Sequence, residues 1–191
     1  IHSFPTRRSS DLYLISLLGC VTEALTYIHA QRIRHQDLKP SNILLAPGQV
    51  YLADFGISRD LKDSMHSVTD SYVGFSLGYA APEVEAKGVH HPASADVYSL
   101  GAVFLNVATV VYGETRRRCG EVMKDKTGSR KATIERYLEE LRPLATKTGR
   151  AGEEALTCLP RHLVGLTEKM LAHDPEKRPR SEERRVGKEC M

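Results

Sequence analysis

The sequence predicts an α+β fold, mainly helical with one small β-hairpin sheet, and three observations lead there. Apolar residues recur at intervals of three and four near the start, two short β-rich runs flank a Pro-Gly turn, and one later stretch is apolar nearly all round. In chain order, Leu14, Leu17, Leu18, Val21, Ala24, Leu25 and Ile28 place an amphipathic helix over Tyr13 to Gln31, which delivers the chain to His35. Asn42-Ile43-Leu44-Leu45 and Val50-Tyr51-Leu52-Ala53 read as strands joined at Pro47-Gly48, so that Asp37, Asn42 and Asp54 gather around one sheet. Residues 57 to 80 are rich in Ser, Asp and Gly without a sustained period. They read as a long loop, and loops of that length in compact domains usually carry function. Val97, Leu100, Ala102, Val103, Leu105, Val107, Ala108, Val110 and Val111 make a helix over Ala95 to Val111 that belongs in a domain interior. Gly113 to Gly152 is highly charged and weakly periodic around Ile134 to Leu138, which reads as a surface helix with loops. Leu163, Leu166, Met170 and Leu171 form a last helix that Asp174-Pro175 ends.

Composition removes several classes. With 191 residues, 41% apolar and 27% charged, the chain has material for one core, which excludes disordered, collagenous and disulfide-scaffold proteins. A formal charge of +3 is too small to make nucleic acid or an acidic membrane the main partner. No uninterrupted apolar run reaches the roughly 18 residues of a membrane span, so none is expected, and the start lacks the apolar stretch of a secretory signal. Cys20, Cys119, Cys158 and Cys190 have neither zinc-site spacing nor the density of a secreted framework. Reduced thiols are therefore expected in an intracellular setting, cytoplasmic with the nucleus still open.

The two ends stand apart. The stretch Ser181 to Cys190 can be back-translated so that its reverse complement, read one base out of frame, encodes His2-Ser3-Phe4-Pro5-Thr6-Arg7-Arg8-Ser9-Ser10. Flanking codons extend the match to Arg180 and Leu12. Opposite strands of one short DNA, similar to a common sequencing adapter, would produce this relation; a pair of basic solvated tails would explain the charge but not the complementarity. Positions 1–12 and 180–191 are therefore expected to be foreign to the protein, to pack little apolar surface and to lie outside a domain spanning 13–179. Six of the 27 basic and four of the 24 acidic residues lie in these ends, so the middle is close to neutral. A native transcript that reads through both ends unchanged would overturn this expectation.

Three signals occur in order within the middle: His35-Gln36-Asp37-Leu38-Lys39-Pro40-Ser41-Asn42, Asp54-Phe55-Gly56 and Ala81-Pro82-Glu83. Asp-Phe-Gly alone means nothing. The ordered set, followed by Asp96-Val97-Tyr98-Ser99-Leu100-Gly101 and Arg178-Pro179, resembles the catalytic loop, metal-binding loop and activation-segment end of the eukaryotic-type protein kinase superfamily, over nearly all of residues 13 to 179. The resemblance implies a protein kinase-like fold, here the mainly helical C-terminal lobe. The Gly-rich loop, strand lysine and helix glutamate of the N-terminal lobe find no counterpart in these 191 residues.

The residue types suit phosphoryl transfer, which needs positioning and charge neutralisation more than covalent help. By the resemblance, Asp37 accepts or orients the proton of an incoming Ser or Thr hydroxyl, and Lys39 is a point charge for the transferring phosphate of ATP. Asn42 and Asp54 supply oxygen ligands to Mg2+. Leu44 is similar to the residue that floors the adenine ring, and Lys39 marks the Ser/Thr rather than the tyrosine branch. Glu83 and Arg178 resemble a buried ion pair that anchors the activation segment, Asp96 a residue that holds the catalytic-loop backbone, and His35 and Phe55 packing links. Two departures matter. Gln36 stands where the family usually has an arginine that receives a loop phosphate, and Gly74-Phe75-Ser76-Leu77-Gly78-Tyr79 carries one residue more than the family's Gly-Thr-x-x-Tyr, with Ser76 in the threonine's place. The expected function is a Ser/Thr protein kinase that uses ATP and Mg2+ on a protein substrate, seen as a fragment that is itself inactive. A pseudokinase scaffold is the alternative, and a small-molecule phosphotransferase is disfavoured by Ala81-Pro82-Glu83.

Overall fold

The computed structural model describes residues 7–46, 49–55, 59–60, 78–87, 92–125, 129–147 and 154–181. Helix α1 (Arg7–Ala30) leads into strand β1 (Ile33–Arg34), a single 3-10 turn (Pro40–Asn42) and a hairpin of β2 (Ile43–Ala46) and β3 (Gln49–Leu52). A short strand, β4 (Arg59–Asp60), precedes five helices: α2 (Pro82–Lys87), α3 (Ala93–Val111), α4 (Arg116–Lys124), α5 (Arg130–Lys147) and α6 (Glu154–Met170), with a last 3-10 turn at Pro175–Lys177.

Helix α3 is the axis of the fold. Fourteen of its 19 residues are buried, because its sequence offers no polar face to solvent, and it packs against α6, α4 and α1. The approach to α6 is close enough to require glycine: a Cβ at Gly101 would lie 2.7 Å from Cβ of Met170. Helix α1 lays one stripe on this core, through Ile15, Leu18, Val21, Leu25 and Ile28. Leu14, Leu17 and Ala24, assigned to the stripe by spacing, flank it half-buried, and Ile15 takes the first core position.

The hairpin forms as expected, with Ile43 opposite Leu52, Leu44 opposite Tyr51 and Leu45 opposite Val50. A second two-stranded pair was not foreseen: β4 lies within the stretch read as a loop and pairs antiparallel with β1, Ile33 opposite Asp60. The charged stretch after Gly113 also departs from the surface reading. It folds into two amphipathic helices that bury Cys119, Val122 and Met123 from α4 and Ile134, Tyr137, Leu138 and Leu141 from α5. The charge density hid a narrow stripe at i, i+3, i+4 and i+7. Burial pushes the Cys119 thiol up from its ordinary range, so it is a packing group and not a nucleophile.

The stretch Tyr13–Ala30 of α1 and helix α3 are long and apolar enough, by length and composition alone, to cross a membrane, a test that the core helix of a soluble protein also passes. The second is 78% buried inside the protein and serves as its core. The two ends are described in part. Residues 1–6 and 182–191 lie outside the described residues, α1 starts at Arg7, and Ser181 is buried, its carbonyl accepting from the Thr26 hydroxyl at 2.9 Å and its own hydroxyl meeting Nδ1 of His29 at 2.9 Å. Ser181 thus meets α1 through polar groups, its main-chain carbonyl on Thr26 and its hydroxyl on His29.

Candidate active site

The site is built on the eight residues from His35 to Asn42. Two residues of this loop are driven inward, His35 and Leu38, both fully buried, and Asp37 and Lys39, on either side of Leu38, are left half-buried at the surface. His35 is held by its Nε2 on the carbonyl of Ala53 at 3.0 Å, and its ring stacks at a tilt on Phe55, 4.8 Å between centroids. These two residues link the loop to the segment after β3, as the resemblance implied.

The loop's backbone is fixed from α3. The Asp96 carboxylate, buried in the first turn of that helix, accepts the main-chain N–H of His35 at 2.9 Å and of Gln36 at 2.8 Å. Gln36 needs that hold, since its φ of 68° is in the left-handed region that a glutamine adopts only at a cost. Asp96 also receives Nε2 of His29 at 2.9 Å. His29 is a member of this network that sequence reading missed, because nothing in a helical stretch marks one histidine as a buried partner of a residue 67 positions away.

Around Asp37 the sequence-predicted residues converge. Lys39 Nζ donates to Asp37 Oδ2 at 2.5 Å, and Asn42 Nδ2 donates to the Asp37 carbonyl at 2.8 Å and to Oδ2 at 3.2 Å. Committing the Asn42 amide nitrogen in this way turns its oxygen to the other side, where the Ser41 hydroxyl reaches it at 3.5 Å. The main chain of Ala53 donates to the carbonyl of Asn42 at 2.9 Å, so Asp54, exposed and with φ of 62°, follows directly on the residue that faces Asn42. The oxygens of Asn42 and Asp54 are hard donors that fit Mg2+, and no group of three or more His, Cys, Asp or Glu gathers among the described residues. A pair of protein ligands fits a cation that keeps water and substrate oxygens in its shell.

Beside this polar cluster lies an apolar surface. Leu44 and Tyr51, opposite each other on the hairpin, are 52% and 50% exposed, with Leu45 and Phe55 also open to solvent. Leu44 is thus apolar and accessible.

The segment after the long loop is tied down separately. Arg178 reaches Glu83 of α2 with both terminal nitrogens, at 2.6 and 2.8 Å, and spends its remaining donors on the carbonyls of Ala172, Ser94 and His173. Its side chain is fully buried and its guanidinium lies 5.0 Å from the Tyr98 ring centre. Burial raises the Tyr98 hydroxyl above its ordinary range, with smaller opposing pulls from Arg130 and Arg178. The Tyr79 carbonyl accepts from the Ser99 hydroxyl at 2.9 Å, and the Tyr79 hydroxyl oxygen accepts from Asn106 Nδ2 at 3.3 Å. Gly56 and residues 74–77, including Ser76, lie outside the described residues.

Known proteins resemble this chain in sequence. A mitogen-activated protein kinase kinase of Pyricularia oryzae is 30% identical over 175 residues, 88% of this chain and 39% of that protein. The serine/threonine-protein kinase PknJ of Mycobacterium bovis is 41% identical over 100 residues, half of this chain and 17% of that protein. Cell division control protein 2 homolog 3 of Trypanosoma brucei brucei is 39% identical over 87 residues, 45% of this chain and 27% of that protein. The chain thus spans well under half the length of the curated relatives it matches. The family model for the protein kinase domain matches residues 7–185, from the first residue of α1 past the turn that carries Arg178, and this chain belongs to the protein kinase family.

Proposed function

We propose that these residues are the C-terminal lobe of a serine/threonine protein kinase, which transfers the γ-phosphoryl group of ATP to Ser or Thr hydroxyls of a protein substrate. The observation that carries the reading is the Asp37 carboxylate, held by Lys39 and Asn42 on a loop whose backbone is bonded to buried Asp96. An acceptor hydroxyl delivered to Asp37 gives up its proton to Oδ1 or Oδ2 as its oxygen bonds to the γ-phosphorus and the bond from that phosphorus to the β–γ bridging oxygen breaks, releasing ADP, and Lys39 balances the charge of the transferring group. Asn42 and Asp54 would hold Mg2+, which supplies neutralisation of the phosphate oxygens when bound. Leu44 forms the apolar floor of the adenine site. Relatives named as serine/threonine and mitogen-activated protein kinase kinases support this class of substrate.

The 191-residue polypeptide alone is expected to show no measurable phosphoryl transfer. Leu44, Leu45, Tyr51 and Phe55 face solvent in it, so a nucleotide would bind an open, hydrated surface, and the same patch favours aggregation. Incubating the purified polypeptide with radiolabelled ATP and a generic Ser/Thr peptide tests this, and robust labelling would refute it. If the full-length protein also transfers no phosphate, the scaffold alternative gains.

Regulation follows from Gln36. An arginine at this place would receive a phosphate from the loop before Tyr79; an amide offers no charge for it. Basal activity of the full-length protein is therefore expected not to depend on phosphorylation within residues 57–79. Phosphatase treatment followed by a peptide assay checks it. A loss of about tenfold, 1.4 kcal/mol in barrier terms, recovered on rephosphorylation of that loop, would show the expectation wrong.

A further inference from the structure

Helix α2 carries two glutamates, and only Glu83 belongs to the ion pair that the family resemblance implied. Glu85 has a partner of its own. Arg130, the first residue of α5, donates to Glu85 Oε1 at 2.9 Å and Oε2 at 3.0 Å, and reaches the carbonyl of Ala80 at 3.3 Å. One guanidinium thus holds a carboxylate on α2 and the main chain just ahead of it. The same guanidinium lies 5.9 Å from the centre of the Tyr98 ring, which Arg178 approaches to 5.0 Å. Two arginines from distant parts of the chain converge on one buried tyrosine, and each grips a different glutamate of the same short helix.

Packing does not explain this second grip. Val84 anchors α2 to the core, but between α2 and α5 lies a cavity of about 200 Å3, lined among others by Pro82, Glu85, Tyr98, Ile134, Leu138 and Leu171. Across that gap the Arg130 fork is the bridge. Its side chain is 16% exposed and that of Glu85 38% exposed, and partly exposed pairs add little to global stability, whereas a two-point Arg–carboxylate contact fixes direction.

We propose that Arg130 is a positioning residue: through Glu85 and the Ala80 carbonyl it sets the conformation of residues 79–85, the end of the segment that receives the protein substrate. The substrate part rests on the kinase reading above. In the full-length enzyme, Arg130→Gln is then expected to raise KM for a peptide substrate about tenfold while KM for ATP, kcat and Tm stay near wild type. The charge-reversed double variant, Arg130→Glu with Glu85→Arg, should bring the peptide KM back. An unchanged peptide KM in Arg130→Gln overturns the proposal, and so does a parallel fall of kcat and Tm that the double variant does not reverse. Hydrogen exchange separates this test from the fate of the kinase reading. The amides of Val84 and Glu85, both bonded to the Ala81 carbonyl, should exchange faster in Arg130→Gln and recover in the double variant even if the wild-type protein transfers no phosphate. Exchange equal to wild type would sink the clamp itself.

Discussion

Asp37→Asn in the full-length protein is expected to lower kcat by about 10^2–10^4-fold, the range a positioned general base contributes, with nucleotide affinity largely intact. Asparagine keeps the size of the side chain and leaves an oxygen to accept from Lys39 Nζ and Asn42 Nδ2, so the loop keeps its shape. What is lost is the negative charge proposed to take the hydroxyl proton. The proposed Mg2+ ligands, Asn42 and Asp54, are untouched, and the loss should therefore appear in kcat and not in the ATP dissociation constant. Steady-state kinetics and nucleotide titration on the same preparation check it. A variant as active as wild type would remove Asp37 from the chemistry and with it the kinase reading of this loop.

The second large effect is on stability. Arg178→Ala is expected to cost about 3–5 kcal/mol, because it leaves the Glu83 carboxylate without its buried partner and strands the carbonyls of Ala172, Ser94 and His173 that the guanidinium serves. Against a typical total of about 5–15 kcal/mol that is a severe loss, which thermal and urea unfolding would register. Glu83→Gln should cost less, since an amide still accepts one of the two hydrogen bonds from an arginine that keeps its three carbonyl partners. Equal and small effects of the two variants would mean that Val84 and the apolar contacts of α2, and not the ion pair, hold this helix in place.

The main helices and the hairpin were legible because their signals are local: the stripe of α1, the all-round apolarity of α3 and the Pro-Gly turn each sit within one element. The β1–β4 pair was not, since two residues form no period and their partners lie far along the chain. Helices α4 and α5 were blurred by arginines and glutamates crowding a narrow buried stripe. In the site, Asp37, Lys39 and Asn42 were readable because one short loop contains them all, and the structure brings their side chains together. The hold of Asp96 on the loop backbone was named through family resemblance, and which amides it bonds, those of His35 and Gln36, is visible only in three dimensions. His29 and Arg130 escaped altogether: their partners are 67 and 45 residues away, and neither residue disturbs the composition around it.

The grip of Asp96 also sets a schedule for the growing chain. It accepts main-chain bonds from residues 60 and 61 positions earlier, so the loop bearing Asp37 is made well before its anchor. At about 5–20 residues per second of synthesis, that lead is about 3–12 s, and during it nothing enforces the left-handed turn at Gln36. Asp37, Lys39 and Asn42 exist in that interval as a string and not as a site. The geometry of the proposed site dates from the docking of α3, not from the emergence of Asp37, Lys39 and Asn42.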